Sequence, residues 1–207
     1  MFFPPPAADP SRRDRKRQET SARIVAAAFE LFARNGYETV TMEQIAAAAD
    51  VAKATLYAYF PVKEAIVRER FHADLAAAAP AVQAELAQLP TAVARLRRLL
   101  ELAAAYDERQ RGYLRPYLQF RLSRPLVPER ERSGFERVFA ALIADAQARG
   151  EIAATPPAAQ LAHYLQFLHL GALVRWLDEG GEADGRLVGE FAAMLDLFLH
   201  GVTGAPR

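Results

Sequence analysis

Apolar residues recur every three or four positions along most of the chain, with Ala, Leu, Glu, Arg and Gln between them. This is the spacing of amphipathic helices, and strand-type alternation is almost absent. The pattern predicts an all-α protein. Breaks fall at Asn35-Gly36, residues 50–52, Pro61, Pro80, Pro90, Gly112, residues 125–128, Gly150, Pro156-Pro157, Gly180-Gly181 and near Gly201, leaving about nine helices. Three short helices end by Phe60, and longer ones with Tyr, Phe and Leu on broad faces follow. A functional boundary is expected near Ala78, inside or just after a connecting helix, because residues 62–79 hold no Gly- or Ser-rich linker.

The early helices carry the most specific signals. Ile24, Ala27, Ala28, Leu31 and Phe32 share a face that ends at Asn35-Gly36, where glycine supplies a left-handed stop. Thr41 and Gln44 have the spacing of a capping box, and Val40 and Ile45 that of a hydrophobic staple. A short helix over residues 42–49, a turn over 50–52 and a second short helix over 53–59 make the spacing of a helix-turn-helix, placed at residues 41–60. At about 100° per residue, Leu56 and Phe60 point inward, Ala54, Thr55 and Ala58 lie opposite, and Lys53 and Tyr57 flank them. Small outward residues let a helix backbone approach a DNA groove, while Lys53, Thr55 and Tyr57 offer hydrogen bonds to bases or phosphates. The plainer alternative is a helical hairpin that only packs. Lys63 weighs against it: a cation at a helix start is unfavourable unless an anion such as a phosphate sits there too. Glu43 is unusual for a DNA face, and is read as a solvated carboxylate or an acceptor for a cytosine amino group.

Composition changes the picture little. Of the 207 residues, 52% are hydrophobic and 25% charged, with a formal net charge of +1, so any DNA-binding role rests on where charges sit. With no cysteine, disulfides, thiolate metal sites and cysteine nucleophiles are excluded, which suits a cytoplasmic location. No apolar run reaches the length of a membrane span, and residues 1–10 lack the apolar core of a signal peptide. Arg12-Arg13-Asp14-Arg15-Lys16-Arg17 closes a basic arm over residues 1–17, read as disordered in the free protein and able to follow DNA phosphates.

Arg23-Ile24, Phe32, Gly36, Ile45-Ala46, Ala49, Val51, Lys53, Thr55-Leu56-Tyr57, Tyr59-Phe60 and Lys63-Glu64, taken at these offsets, resemble the TetR family of bacterial transcription regulators. The resemblance covers about the first third of the chain, well beyond the length of a single short motif. It implies a DNA-binding domain over 18–78, a larger helical ligand-binding and dimerisation domain over 79–207, and a homodimer on a palindromic double-stranded DNA operator, released by a small-molecule inducer of unknown identity. Carried over, Thr41 opens the second helix at the DNA backbone, Lys53, Ala54, Thr55 and Tyr57 face the major groove, and Tyr59 and Lys63 contact phosphate. Three positions depart from the family pattern: Asp50 stands where glycine is common, Ala52 replaces a Ser or Thr cap, and Val62 replaces a polar cap.

Beyond residue 91 the readings rest on pattern. The helix after Pro156-Pro157 is apolar nearly all round, and the last helix repeats this with Leu187, Phe191, Met194, Leu195, Phe198 and Leu199. The resemblance implies that both pair with their copies across a dimer interface, and the excess apolar surface independently asks for a partner. Leu102, Tyr106, Tyr113, Tyr117, Phe120, His163 and Phe167 combine apolar bodies with polar tips and are the candidate ligand residues, against the plainer reading of simple core. Arg115 and Arg121 are possible anion partners. His163 and His169 point to different helix faces, so no shared metal is expected, and no cofactor or catalytic signature is found. The rival functions are a helical small-molecule carrier or enzyme, and a non-specific architectural DNA binder.

Overall fold

The computed structural model describes residues 11–122 and 134–201, and these hold nine α-helices and no strand. In order they are α1 (Arg12–Asn35), α2 (Met42–Ala48), α3 (Lys53–Tyr59), α4 (Lys63–Ala87), α5 (Ala92–Arg109), α6 (Arg111–Leu122), α7 (Gly134–Ala148), α8 (Ala158–Asp178) and α9 (Arg186–His200). The protein is all-α, with a helix-turn-helix unit first and a larger helical unit after it. Among the described residues no helix is long and apolar enough to cross a membrane.

The chain divides into two compact units, and the division falls inside α4 at Ala78. The first unit takes residues 11–77 and also 116–122, so the second half of α6 packs with the N-terminal helices. Its core is Ile24, Val25, Ala28 and Phe32 of α1, Tyr37 and Val40 of the following loop, Ile45, Ala46 and Ala49 of α2 and its cap, Leu56 and Phe60, then Ala65, Ile66, Val67 and Phe71. Phe71 meets Tyr117 of α6 edge-on, ring centroids 4.9 Å apart.

Two differences from the sequence pattern have local causes. The run Arg12–Arg17 is helical, not an extended arm, because Ser11 caps α1 by accepting from the Asp14 backbone N–H, while Asp14 places a negative charge in the positive first turn. The rest of the arm reading, residues 1–10, lies outside the described residues. Pro80, read as a break, sits inside α4. One missing N–H costs the helix a single bond, and the helical runs on either side, rich in alanine, carry through it.

The second unit takes residues 78–115 and 134–201. Its helices α5, α7, α8 and α9 pack around Leu96, Leu100, Phe139, Leu142, Ile143, Leu165, Leu173, Phe191 and Leu195, all buried. Distant carboxylates close two helix starts. Glu151 accepts from the Ala92 and Val93 N–H groups at 3.0 and 2.9 Å, beside the local Thr91 cap of α5. Glu108 accepts from Gly185 and Leu187 at 3.3 and 3.1 Å, where α9 has no side-chain cap of its own. Each carboxylate satisfies backbone donors that a helix start leaves orphaned and neutralises part of its dipole.

Candidate nucleic-acid interface and ligand residues

The helix-turn-helix is assembled by short-range chemistry. The Thr41 hydroxyl accepts from the Gln44 N–H at 3.2 Å, and the Gln44 side chain accepts from the Thr41 N–H at 2.8 Å, a complete capping box. The turn then places Asp50 at φ 50°, the one left-handed non-glycine among the described residues. Asp tolerates this better than most side chains. Ala52 has the extended backbone of a cap, φ −63° and ψ 146°, but no side chain to act as one. The Ala52→Ser variant is therefore expected to gain about 0.5 to 2 kcal/mol, read as a higher urea midpoint with an unchanged slope.

Helix α3 turns Leu56 fully inward and leaves Lys53, Ala54, Tyr57 and Ala58 exposed, with Thr55 and Tyr59 partly so. Thr41 is exposed at the start of α2. Glu43 of α2 reaches the same face: its carboxylate stands 3.6 Å from Lys53 Nζ and accepts from the Tyr57 hydroxyl at 3.5 Å. The Arg17 guanidinium lies over the Tyr59 ring, 5.7 Å from its centroid, joining the basic start of α1 to this unit.

Lys63 has partners that spacing alone does not reveal. Its ammonium donates to the carbonyls of Tyr37 and Glu38 at 2.8 and 3.2 Å and lies 4.6 Å from the Tyr37 ring centroid. These carbonyls and the ring face offset the unfavourable dipole, so a cation at this helix start does not by itself require a phosphate. The same loop is tied to α4 a second time, because the Tyr37 hydroxyl donates to Glu64 at 3.1 Å. Burial and the neighbouring Glu64 carboxylate raise the Tyr37 hydroxyl pKa well above its ordinary range.

The seven candidate ligand residues are shared between the two units. Tyr117 and Phe120 belong to the first unit, Tyr117 buried on Phe71 and Phe120 beneath the Arg68 guanidinium at 5.9 Å. Leu102, Tyr106 and Tyr113 are half-buried in the second unit. His163 and Phe167 touch edge-on at 4.9 Å, yet Phe167 is 51% exposed, and His163 Nδ1 stands 3.4 Å from Glu136. Arg115 pairs with Asp178 at 3.1 Å on the surface.

The inner face of α8 carries polar groups, of which the pattern had drawn attention only to His169. Gln166, His169 and Trp176 are buried and, with Leu173, follow a three-four-three spacing along one helix face. His169 stacks on Phe135 at 5.8 Å and meets Phe139 and Phe191. Gln166 Oε1 and Trp176 Nε1 have no hydrogen-bond partner among the described residues. A buried polar atom left so costs about 1 to 3 kcal/mol, and such groups in a folded core call for an explanation.

A short helix-turn-helix unit whose second helix has an exposed face, followed by a larger helical unit, defines a two-part, all-helical architecture. A family profile described as bacterial regulatory proteins, tetR family, matches residues 24–69, and over this stretch the chain is similar to that family. It is similar to an HTH-type transcriptional regulator of Bacillus subtilis (strain 168), YdeS, at 39% identity over 62 residues, 30% of this chain and 31% of that protein. It is also similar to an HTH-type transcriptional regulator of Mycobacterium bovis, Mb0790c, at 34% over 107 residues, 52% of this chain and 49% of that one. The matched stretches thus span about a third to a half of these relatives' lengths. Among solved structures, Thermus thermophilus FadR, a TetR family transcriptional repressor in complex with lauroyl-CoA, aligns with a TM-score of 0.73 and 29% identity, over 90% of this chain and 98% of that one.

Proposed function

We propose that the protein is a transcriptional repressor that binds a palindromic operator as a homodimer and releases it when a small amphipathic effector, of the acyl-CoA class, binds the second unit. The observation that carries the reading is the exposed face of α3, where Lys53, Ala54 and Tyr57 stand clear of the core around a fully buried Leu56. That is the division of faces a recognition helix needs. Thr41, Lys53, Ala54, Thr55, Tyr57, Tyr59 and Lys63 form the DNA surface, with bases read from α3 and phosphates held around it. Lys63 has a third donor left for a phosphate after its two carbonyl bonds.

Dimerisation is supported by apolar side chains that face outward on α8 and α9: Tyr164 is 50% exposed, Phe167 51%, Leu168 36% and Leu197 43%. Exposed apolar side chains on two helices that pack together suit an isologous interface. An operator of two half-sites about 34 to 36 Å apart needs two identical reading heads. The effector class follows from likeness to the lauroyl-CoA complex of the Thermus thermophilus repressor and from the unpartnered Gln166 and Trp176 atoms in the second unit. An effector acts only as far as it binds the two states of the dimer differently. The protein works in the cytoplasm, without enzymatic activity.

The test is a mobility shift of DNA from around the protein's own gene at low salt, with and without lauroyl-CoA. A sequence-selective shift that lauroyl-CoA reverses is expected. Failure to shift any such fragment overturns the repressor reading, and a shift insensitive to acyl-CoAs of every chain length overturns the effector class alone.

A further inference from the structure

Glu43 places a carboxylate on the very surface that is proposed to approach a polyanion. Its position is built: α2 begins at a double cap that fixes the helix, and from it the carboxylate reaches both Lys53 at 3.6 Å and Tyr57 at 3.5 Å across the turn. The side chains of Lys53 and Glu43 are 67% and 48% exposed, so water screens the pair. Such a pair is worth at most about a fivefold preference, too little to account for the residue as a structural tie. A DNA phosphate competes readily for Lys53. Once Lys53 turns to phosphate, Glu43 keeps only the Tyr57 hydroxyl as a partner and faces the groove as a negative charge without a counter-ion.

We propose that Glu43 is the specificity-determining residue of this surface, holding Lys53 and Tyr57 in the free protein and demanding a cytosine amino group in the bound one. The inference rests on the DNA-binding reading above. In the major groove each base pair presents a distinct set of donors and acceptors, and the cytosine N4 amino group is the natural donor to a carboxylate. A sequence with cytosine at the facing position satisfies Glu43. Any sequence without it leaves the carboxylate opposed to acceptors and phosphates, which lowers binding to unrelated DNA. The residue thus trades affinity for selectivity, as rejection of wrong partners requires.

The experiment selects duplexes from a random pool with the full-length wild type, Glu43→Ala and Glu43→Gln, and measures the affinity of each protein for an unrelated duplex. Glu43 is exposed, and unchanged circular dichroism is the check that the variants fold. The wild type is expected to enrich cytosine at one position of each half-site. Glu43→Ala is expected to lose enrichment at that position alone and to bind the unrelated duplex roughly tenfold more tightly. Glu43→Gln is expected to shift the position towards adenine, the base that glutamine pairs bidentately. Identical enriched bases and an unchanged unrelated affinity in Glu43→Ala overturn the proposal while leaving DNA binding standing. A wild type that enriches no duplex overturns the DNA-binding reading and this inference with it.

Discussion

Replacing Leu56 with alanine is expected to abolish the proposed operator binding, at a cost to folding of about 2 to 5 kcal/mol. The reason lies in how little else holds α3. The helix has seven residues, and its N-cap, Ala52, makes no side-chain hydrogen bond. Isolated helices below about 12 to 15 residues are marginal in water even with good propensity. Leu56 is fully buried and is the one buried residue within α3; Phe60 follows at its C-cap. Truncation therefore removes apolar contact, leaves a cavity and loosens the element that presents Lys53, Ala54 and Tyr57. Urea unfolding followed by circular dichroism reads the stability loss, and a mobility shift reads the functional one. A Leu56→Ala protein that keeps both its unfolding midpoint and its shift shows that α3 is held by other contacts. Adding Ala52→Ser to the same chain should recover part of the lost stability, because it supplies the missing cap to the same helix.

Short-range chemistry made the helix-turn-helix unit legible. The Thr41-Gln44 box stands as its spacing predicts, and the two departures from the resembled family's pattern, Asp50 and Ala52, take a left-handed backbone and an uncapped helix start, each decided within three or four residues. Contacts between distant segments were not legible. Lys63 meets carbonyls about seven turns of helix away in sequence, so its charge alone suggested an anion that its partners make unnecessary. Glu108 and Glu151 cap helices 77 and 59 residues away, and neither is marked in its own segment. At the start of α1, the count of positive charges outweighed the quieter Ser11 and Asp14 signal, although the cap decides the backbone. In α8 the apolar residues surround the helix so completely that the register of its inner face is lost in the pattern, and Gln166 and Trp176 emerge only from packing.

Two partly buried titratable groups are expected to make stability depend on pH in opposite directions. Burial raises the Asp107 carboxyl from its ordinary 3.8 to about 7. The folded protein then holds this proton more tightly than the unfolded chain, so Asp107 favours folding at low pH, and that contribution is lost as pH rises from about 4 through about 7. His72 behaves in reverse. Burial, with the Arg68 and Arg121 charges nearby, lowers it from 6.5 to about 4. The folded protein prefers the neutral ring, so the His72 contribution is present above about 6.5 and is lost as pH falls towards about 4. Between these limits each group imposes a slope of at most about 1.4 kcal/mol per pH unit, and in the wild type the two slopes largely cancel. Single substitutions expose them. Relative to the wild type, Asp107→Asn is expected to lose stability on acidification from about pH 6.5 to 4.5, by about 1 kcal/mol per unit, and His72→Asn to gain it by a similar amount. Urea midpoints for the three proteins across this range decide the matter. Parallel curves for all three would show that neither group changes its proton affinity on folding, and same-sign slopes for the two variants would show that the burial of one of them is misassigned.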